Sequence, residues 1–472
     1  MKVSVAMGDG IGPEIMGAVL DVFTKANVPL EYEMVEMGKV VALAGEQTGI
    51  SAPARRSVES TGILFKGPME TPKGGGYKSV NVTARKLWGT FANKRVYRTL
   101  PGVPTPLGTQ QLNLTMVREN IEDTYGAIEH MQTHDVAQCR RLITRPGCEQ
   151  VHRYTFEMAS RKGARRVTCG HKANIMKLTD GLFLETFYDV AKNYPDLEAD
   201  DVIIDAMAMR LVVDPTEFDV VVMPNLQGDI LTDLAAGLVG GLAYAPSANI
   251  GDGICIFEAV HGTAPDIAGQ DLANPSALLL SGTMMLRHVG LVRHASVIET
   301  ALERTLVDLH RRPNLDDPVR ILRTSTFLDR ILDEIDALSL PDDQPTPMHK
   351  VARQEPRMRV SRAPQETRLR GVDVFLESAE APESVASKLG DLVPGLEVTM
   401  ISNRGTQVWP SASPYTDCIN HYRVRFESHE AAEQTALVGV LAAAAHHYTL
   451  CGAEWLREID GRIGFSLAQG QS

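Results

Sequence analysis

The sequence has no apolar run of the ~18 residues that a membrane-spanning helix needs; the richest, around Ala436–Ala445, is too short. Cysteine is scarce. The six residues (Cys139, Cys148, Cys169, Cys255, Cys418 and Cys451) show no C-x-x-C spacing, which argues against a disulfide scaffold or zinc ribbon and favours a reducing cytoplasm. The first nine residues turn polar too early for a signal peptide, so a cytoplasmic location is expected. Basic residues are outnumbered, 47 Lys and Arg against 59 Asp and Glu, and the net charge of −12 argues against nucleic acid or an anionic membrane as partner. Internal repeats and low-complexity tracts are also missing.

One absence is local. From Thr71 to Arg118 there is no Asp or Glu, although the chain-wide frequency predicts about six. The same stretch holds Lys73, Lys78, Arg85, Lys86, Lys94, Arg95, Arg98 and Arg118, a cationic island in an acidic protein.

What remains is ordinary globular composition. The 472 residues, 44% hydrophobic and 22% charged, exclude wholesale disorder and correspond to two to four domains at roughly 150 residues each. Up to about residue 340, short β-rich runs alternate with helical patterns, the signature of an α/β fold with a largely parallel sheet. Strands are expected at Lys2–Met7, Asp201–Asp205 and Phe218–Met223, and helices from Gly12 and over 229–242. Residues 341–370, with five prolines, read as a linker. Beyond it, strands at Val372–Leu376, Leu396–Ile401 and His421–Phe426 alternate with helices at Ala381–Leu389 and Ala431–His447, an order that resembles a ferredoxin-like sandwich.

Chemistry concentrates in the island. Gly74-Gly75-Gly76 lets backbone approach a ligand, and Ser79, Asn81 and Arg85 follow with hydroxyl, amide and guanidinium groups suited to carboxylate or phosphate oxygens. Arg95 and Arg118 add two planar forks that match carboxylates bidentately. Elsewhere, Asp229 and Asp233 lie four apart on one helix face, and Asp205 is expected to close a strand. Three converging carboxylates would suit Mg²⁺ or Mn²⁺. Lys172 and Tyr125 are possible proton carriers.

Six blocks resemble the isocitrate dehydrogenases, within the isocitrate/isopropylmalate (metal-dependent β-decarboxylating) dehydrogenase family: Gly8–Glu14, Thr71–Arg85, Arg118–Tyr125, His171–Lys177, Asn225–Asp233 and Glu258–Gly269. The likeness covers residues 1–335 in consistent order, and Met400–Thr406 is similar to the C-terminal domain of extended members. The resemblance implies a two-domain α/β core with a central sheet flanked by helices. Its large domain would comprise 1–95 and 235–340, its small domain and dimer interface 96–234. The linker 341–370 and a C-terminal α+β domain over 371–472 would follow, with a part in assembly expected for the latter. The implied activity is oxidative decarboxylation of isocitrate in the tricarboxylic acid cycle, by a homodimer at least.

The roles implied by resemblance follow residue by residue. Thr71, Ser79, Asn81, Arg85, Arg95 and Arg118 would hold the substrate, with Tyr125 as the proton donor to carbon. Lys172 of the partner subunit would serve as the base-side residue, with Asp205 of the partner subunit beside it. Asp229, Asp233 and Asp205 of the partner subunit would bind Mg²⁺ or Mn²⁺, which would stabilise charge on the substrate oxygens. Cofactor contacts would come from Thr71, Asn81, Asn174, Glu258, His261, Gly262, Thr263, Ala264, Asp266, Ile267 and Asn274. Asp266-Ile267 replaces the Lys-Tyr pair typical of NADP-specific members, and a carboxylate there would repel a 2′-phosphate, so NAD⁺ is expected. Homoisocitrate or isopropylmalate dehydrogenase on the same scaffold, and a catalytically silent regulatory subunit, are the competing readings.

Overall fold

The computed structural model describes residues 1–71, 78–311, 323–346, 366–390, 392–412 and 415–467. The glycine run 74–76 and most of the expected linker therefore lie outside the described residues. By contacts the chain forms two units, Met1–Gly126 with Leu142–Met358, and Ala127–Arg141 with Arg359–Ser472.

Among the described residues twelve strands precede the C-terminal region: β1 (Lys2–Ala6), β2 (Glu31–Met34), β3 (Ile63–Lys66), β4 (Ala92–Arg98), β5 (Asn113–Glu119), β6 (Asp123–Met131), β7 (Ala137–Leu142), β8 (Arg166–His171), β9 (Glu198–Ile203), β10 (Val220–Met223), β11 (Pro246–Ile250) and β12 (Cys255–Ala259). Ten of them form one sheet in the order β2-β1-β3-β12-β11-β4-β5-β10-β8-β9, while β6 and β7 make a separate ribbon. Both wings of the sheet are parallel, as their continuous apolar runs predict. The middle is not. Ladders β12–β11, β11–β4 and β4–β5 are antiparallel, so strand direction reverses between the wings.

Helices cover both faces. On one face Val5, Phe65 and Phe257 pack beneath the helices Gly12–Lys25 and Ser276–His288, and Val117, Val222 and Cys169 form a second core with the helix Arg145–Lys162. On the other face Leu64 and Ile256 belong to one core, and Met116, Val221 and Leu231 to another. Each face thus carries two cores with a seam over the antiparallel middle.

Three local expectations need correction. Asp205 does not close a strand: β9 stops at Ile203, and Asp205 sits in the first turn of the helix Ile204–Val213, where its charge meets the positive helix end. The helix expected over 229–242 runs Asn225–Leu238, because Pro224 starts it and Gly240-Gly241 adopt positive φ beyond its end. The last long helix is Gln434–Ala444, shorter than the Ala-rich pattern suggested.

The second unit contains β13 (Thr367–Glu377), β14 (Glu397–Asn403), β15 (Thr406–Trp409), β16 (His421–Glu427), β17 (Thr449–Ile459) and β18 (Arg462–Ile463), with β13 beginning inside the stretch read as linker. Their order is β15-β14-β16-β13-β17-β18 and every pairing is antiparallel. Without the short β15 and β18, this is the ferredoxin-like arrangement, with the helices Pro382–Leu389 and Gln434–Ala444 on the core face. The ribbon β6–β7 joins this unit through Thr133 to Asn420 (3.3 Å) and Arg140 to Glu454 (3.1 Å).

Candidate active site

Over the antiparallel middle of the sheet lies a cleft of about 690 Å³, lined among others by Thr71, Asn81, Arg85, Arg95, Glu258 and His261. Register places Glu258, Ser247 and Arg95 in one row across three strands, so the base of the cleft is written into strand pairing. Arg95 is buried. Its Nε donates to Asn93 Oδ1 (2.7 Å) and its Nη1 to Thr232 Oγ1 (2.7 Å) and Asp233 Oδ1 (3.2 Å).

Arg118, at the end of β5, is buried as well. It donates from Nε to Asn225 Oδ1 (2.9 Å), pairs through Nη1 with Asp229 Oδ1, and stacks its guanidinium 4.7 Å from the centre of the Tyr125 ring. Tyr125 donates its hydroxyl to Asp229 Oδ2 at 2.5 Å. Burial and the neighbouring charge of Arg85 lower the Arg118 pKa to about 10. For Asp229, burial pushes the carboxyl up, but Arg118 and the Tyr125 hydrogen bond outweigh it and hold the group below its usual range. Burial, and donation to that carboxylate, push the Tyr125 phenol up.

A second polar cluster was not legible beforehand. Lys66, fully buried at the end of β3, pairs with Glu258 and donates to Asn81 Oδ1 at 2.8 Å. Glu258 also receives Arg85 (3.3 Å) and Asn249 (2.7 Å), and these partners outweigh burial to hold its carboxyl at about 2. The available signal was a lysine ending the otherwise apolar strand Ile63–Lys66. Asn225 and Glu119 were also missed in these roles. Asn225 Nδ2 donates to Glu119 Oε2 (3.3 Å) and to the Glu122 carbonyl (3.3 Å), while its Oδ1 serves Arg118, which fixes the amide orientation.

Among the described residues, two buried guanidinium N–H groups facing this region, Arg85 Nε and Arg118 Nη2, have no hydrogen-bond partner; His261 donates from Nδ1 to the Gly262 carbonyl, so its unpartnered Nε2 is an acceptor. Buried donors in this state favour an anionic ligand. Asp229 and Asp233 supply two hard carboxylates one helical turn apart, both partly exposed, a donor pair that fits a divalent cation. Among the described residues no three acidic, His or Cys side chains converge as a metal group. Asp205 instead pairs with Lys172, which holds its carboxyl below the usual range. Lys172 follows His171, whose Nδ1 accepts from Ala173 N (3.0 Å) and whose Nε2 donates to Asp201 (2.9 Å), so the imidazole is a defined neutral tautomer. Asn174 lies exposed in the same turn.

The remaining expected residues fall on two loops. Thr71 Oγ1 lies 3.0 Å from Ser79 Oγ, and Ser79 caps the helix Val80–Leu87 by accepting from Val82 N at 3.4 Å. His261, Gly262, Thr263 and Ala264 lead into the turn Pro265–Ile267, which carries Asp266 exposed and Ile267 half-buried. Ala264 holds a left-handed φ of 37°, local strain in a non-glycine residue. Gly10 belongs to this structure, since a Cβ there would lie 2.1 Å from the Thr263 carbonyl: the N-terminal glycines let two loops touch. Asn274 uses its side chain at a helix start, accepting from Ser276 N at 2.9 Å.

Comparison with known proteins fits this construction. Residues 2–331 match the family model described as isocitrate/isopropylmalate dehydrogenase, and residues 367–471 match bacterial isocitrate dehydrogenase, C-terminal domain. The chain is 42% identical to the protein of Thermus thermophilus named isocitrate dehydrogenase [NADP], over 99% of this chain and 96% of the relative. It is 44% identical to the bovine protein named isocitrate dehydrogenase [NAD] subunit alpha, mitochondrial, over 65% of this chain and 83% of that one. Among solved structures, the TT0538 protein of Thermus thermophilus superposes with a TM-score of 0.91 at 40% identity, covering 100% of this chain and 96% of that chain. Isocitrate dehydrogenase from Methylococcus capsulatus gives 0.66 at 41% identity, over 71% of this chain and 99% of that one. With one family model spanning the ten-stranded sheet and the segments that carry Arg85, Arg95 and Arg118, and a second spanning the ferredoxin-like region, this chain belongs to the isocitrate/isopropylmalate dehydrogenase family.

Proposed function

We propose that the protein oxidises isocitrate to 2-oxoglutarate and CO₂ with reduction of NAD⁺. The observation that carries this reading is the grouping of Arg85 and Arg95 in one cleft with Arg118 beside them: Arg95 and Arg118 both pair with Asp229, and buried N–H groups of Arg85 and Arg118 have no partner among the described residues. Three guanidinium groups match the three carboxylates of the substrate, and Ser79 and Asn81 add neutral hydrogen bonds at its edge.

Asp229 and Asp233, with Asp205 of the partner subunit, would hold Mg²⁺ or Mn²⁺; when bound, the cation supplies Lewis-acid stabilisation of charge on the substrate oxygens. This chain's own residues handle the protons. Lys172 of the partner subunit, with Asp205 of the partner subunit, takes the hydroxyl proton as hydride leaves the same carbon for nicotinamide. Tyr125 returns a proton to the carbon from which CO₂ has departed, and the raised pKa of its phenol keeps it protonated for that step. A homodimer is the smallest assembly that supplies such a shared site.

Cofactor preference rests on Asp266-Ile267. The exposed carboxylate suits ribose hydroxyls and opposes a 2′-phosphate. The Thermus thermophilus relative, which matches over the whole chain, carries NADP in its name, whereas the bovine relative named for NAD matches 65% of this chain. The reading is tested by assaying isocitrate, homoisocitrate and 3-isopropylmalate in parallel with Mg²⁺ and each nucleotide. It predicts the highest kcat/KM for isocitrate with NAD⁺; a preference for either other acid would overturn the substrate assignment.

A further inference from the structure

Lys94 belongs to the acid-free stretch, yet the substrate clamp leaves it unused. Along β4, Asn93, Arg95 and Tyr97 share the cleft face, so Lys94, Val96 and Arg98 lie on the opposite one. Strand register carries Lys94 into a row running Phe257, Ala248, Lys94, Val117, Val222 and Cys169. Every other member of that row is apolar and buried. Phe257 and Ala248 belong to one core, and Val117, Val222 and Cys169 to the other. The lysine stands where the two cores part, beside the smallest side chain of the row.

Three more nitrogen groups border this seam. Lys162 donates to Thr115 Oγ1 at 2.9 Å, and Thr115 is the register partner of Val96, two residues from Lys94 on its face. His288 packs its ring 5.5 Å from that of Phe257, in the same row, and Arg287 precedes it at the end of its helix. The acids nearby are engaged. Glu299 pairs with Arg287 (2.8 Å), Glu303 with Arg98 (2.7 Å), and Asp219 accepts from the Arg165 and Arg166 backbone. Lys94 itself has no hydrogen bond or ion pair among the described residues. Burial, with the charges of Lys162 and Arg287, holds its ammonium below the usual range, and burial with Lys94 does the same to His288. Lys94 is thus half-buried and without an acid, while the exposed Lys162 and Arg287, the latter paired with Glu299, border it; a small anion would offset the charge that burial leaves on Lys94.

We propose that this seam is a second anion site, on the face of the sheet opposite the substrate cleft, which binds a small oxyanion carrying at least two negative charges. Lys94 is its central ligand, and Lys162 and Arg287 are its rim. Phosphoryl and polycarboxylate compounds share this chemistry, so both are tested.

The experiment is calorimetric titration of the full chain at fixed ionic strength with inorganic pyrophosphate and, separately, tricarballylate. The probe bound more tightly at the seam identifies the ligand class. Arg118→Gln disables the substrate clamp and is expected to retain one site per chain for at least one probe. Lys94→Met is expected to weaken that site at least about tenfold, and Lys94→Arg to restore most of it. Lys162→Gln, an edge substitution, is expected to weaken it about threefold and decides the matter if Lys94→Met fails to fold. Failure of the Arg118→Gln chain to bind either probe, or binding by Lys94→Met equal to that of the unaltered chain, would overturn the proposal. These readouts do not involve turnover, so they are independent of the isocitrate reading.

Discussion

The Tyr125 hydroxyl donates to Asp229 Oδ2 at 2.5 Å while Arg118 occupies the other oxygen. The proposed proton donor and a residue of the proposed substrate clamp therefore meet on one of the two hard carboxylates. Substituting Tyr125→Phe removes the donor and keeps the ring over Arg118. The expected result is a fall in kcat of about 10²-fold or more, with KM for isocitrate changed by less than about threefold. Steady-state kinetics on the purified variant check this.

Asn225 fixes the Arg118 guanidinium by accepting from its Nε, and is itself held by Glu119. Asn225→Ala should raise KM for isocitrate by about tenfold or more, since a buried guanidinium N–H loses its partner. Asn225→Asp should do worse, because it sets a second carboxylate against Glu119. A variant with lowered thermal stability but unchanged KM would show that Asn225 serves only the fold.

Glu119 gives a pH signature. Burial and the nearby Glu122 raise its carboxyl from 4.5 to about 7, against the lowering effect of backbone hydrogen bonds. The folded state therefore holds a proton that the unfolded state releases. Its contribution is favourable below pH 4.5 and is lost as pH rises to about 7, by about 3 kcal/mol in all. Urea unfolding of the native chain and Glu119→Gln across this range should show the difference; parallel pH profiles would contradict it.

The Lys172–Asp205 pair shares no contact with Asp229 or Asp233 in this chain among the described residues. If each site borrows the pair from the partner subunit, Lys172→Met and Asp229→Asn should each be inactive alone. Co-refolded as an equal mixture, they should recover about a quarter of native activity, because half the dimers are mixed and each of those keeps one intact site. No recovery would place the pair within one chain.

Much of the chemistry was legible because charge patterning survives without knowledge of the fold. The acid-free stretch containing Arg85, Arg95 and Arg118 stood out by composition, and the i, i+4 spacing of Asp229 and Asp233 held once the helix boundary moved to Asn225. Strand polarity was not legible. Short apolar runs such as Cys255–Ala259 look alike in parallel and antiparallel ladders, so the reversal that places Arg95 beside Ser247 rather than at a strand end had no sequence signature. Lys66 and Asn225 escaped for another reason. They act through partners distant in sequence, Glu258 and Arg118, and only the fold brings these together. Asp205 shows the limit of propensity, since the strand ends at Ile203 and the helix Ile204–Val213 takes over before the expected strand end.

The most direct test is the initial rate of nucleotide reduction by the purified full chain with isocitrate, measured with NAD⁺ and with NADP⁺, in Mg²⁺ and after chelation. Turnover is expected to depend on Mg²⁺, with a kcat/KM at least about tenfold higher for NAD⁺ than for NADP⁺. Absence of isocitrate turnover with either nucleotide, or undiminished turnover after chelation, would contradict it. A preference for NADP⁺ would overturn the role given to Asp266.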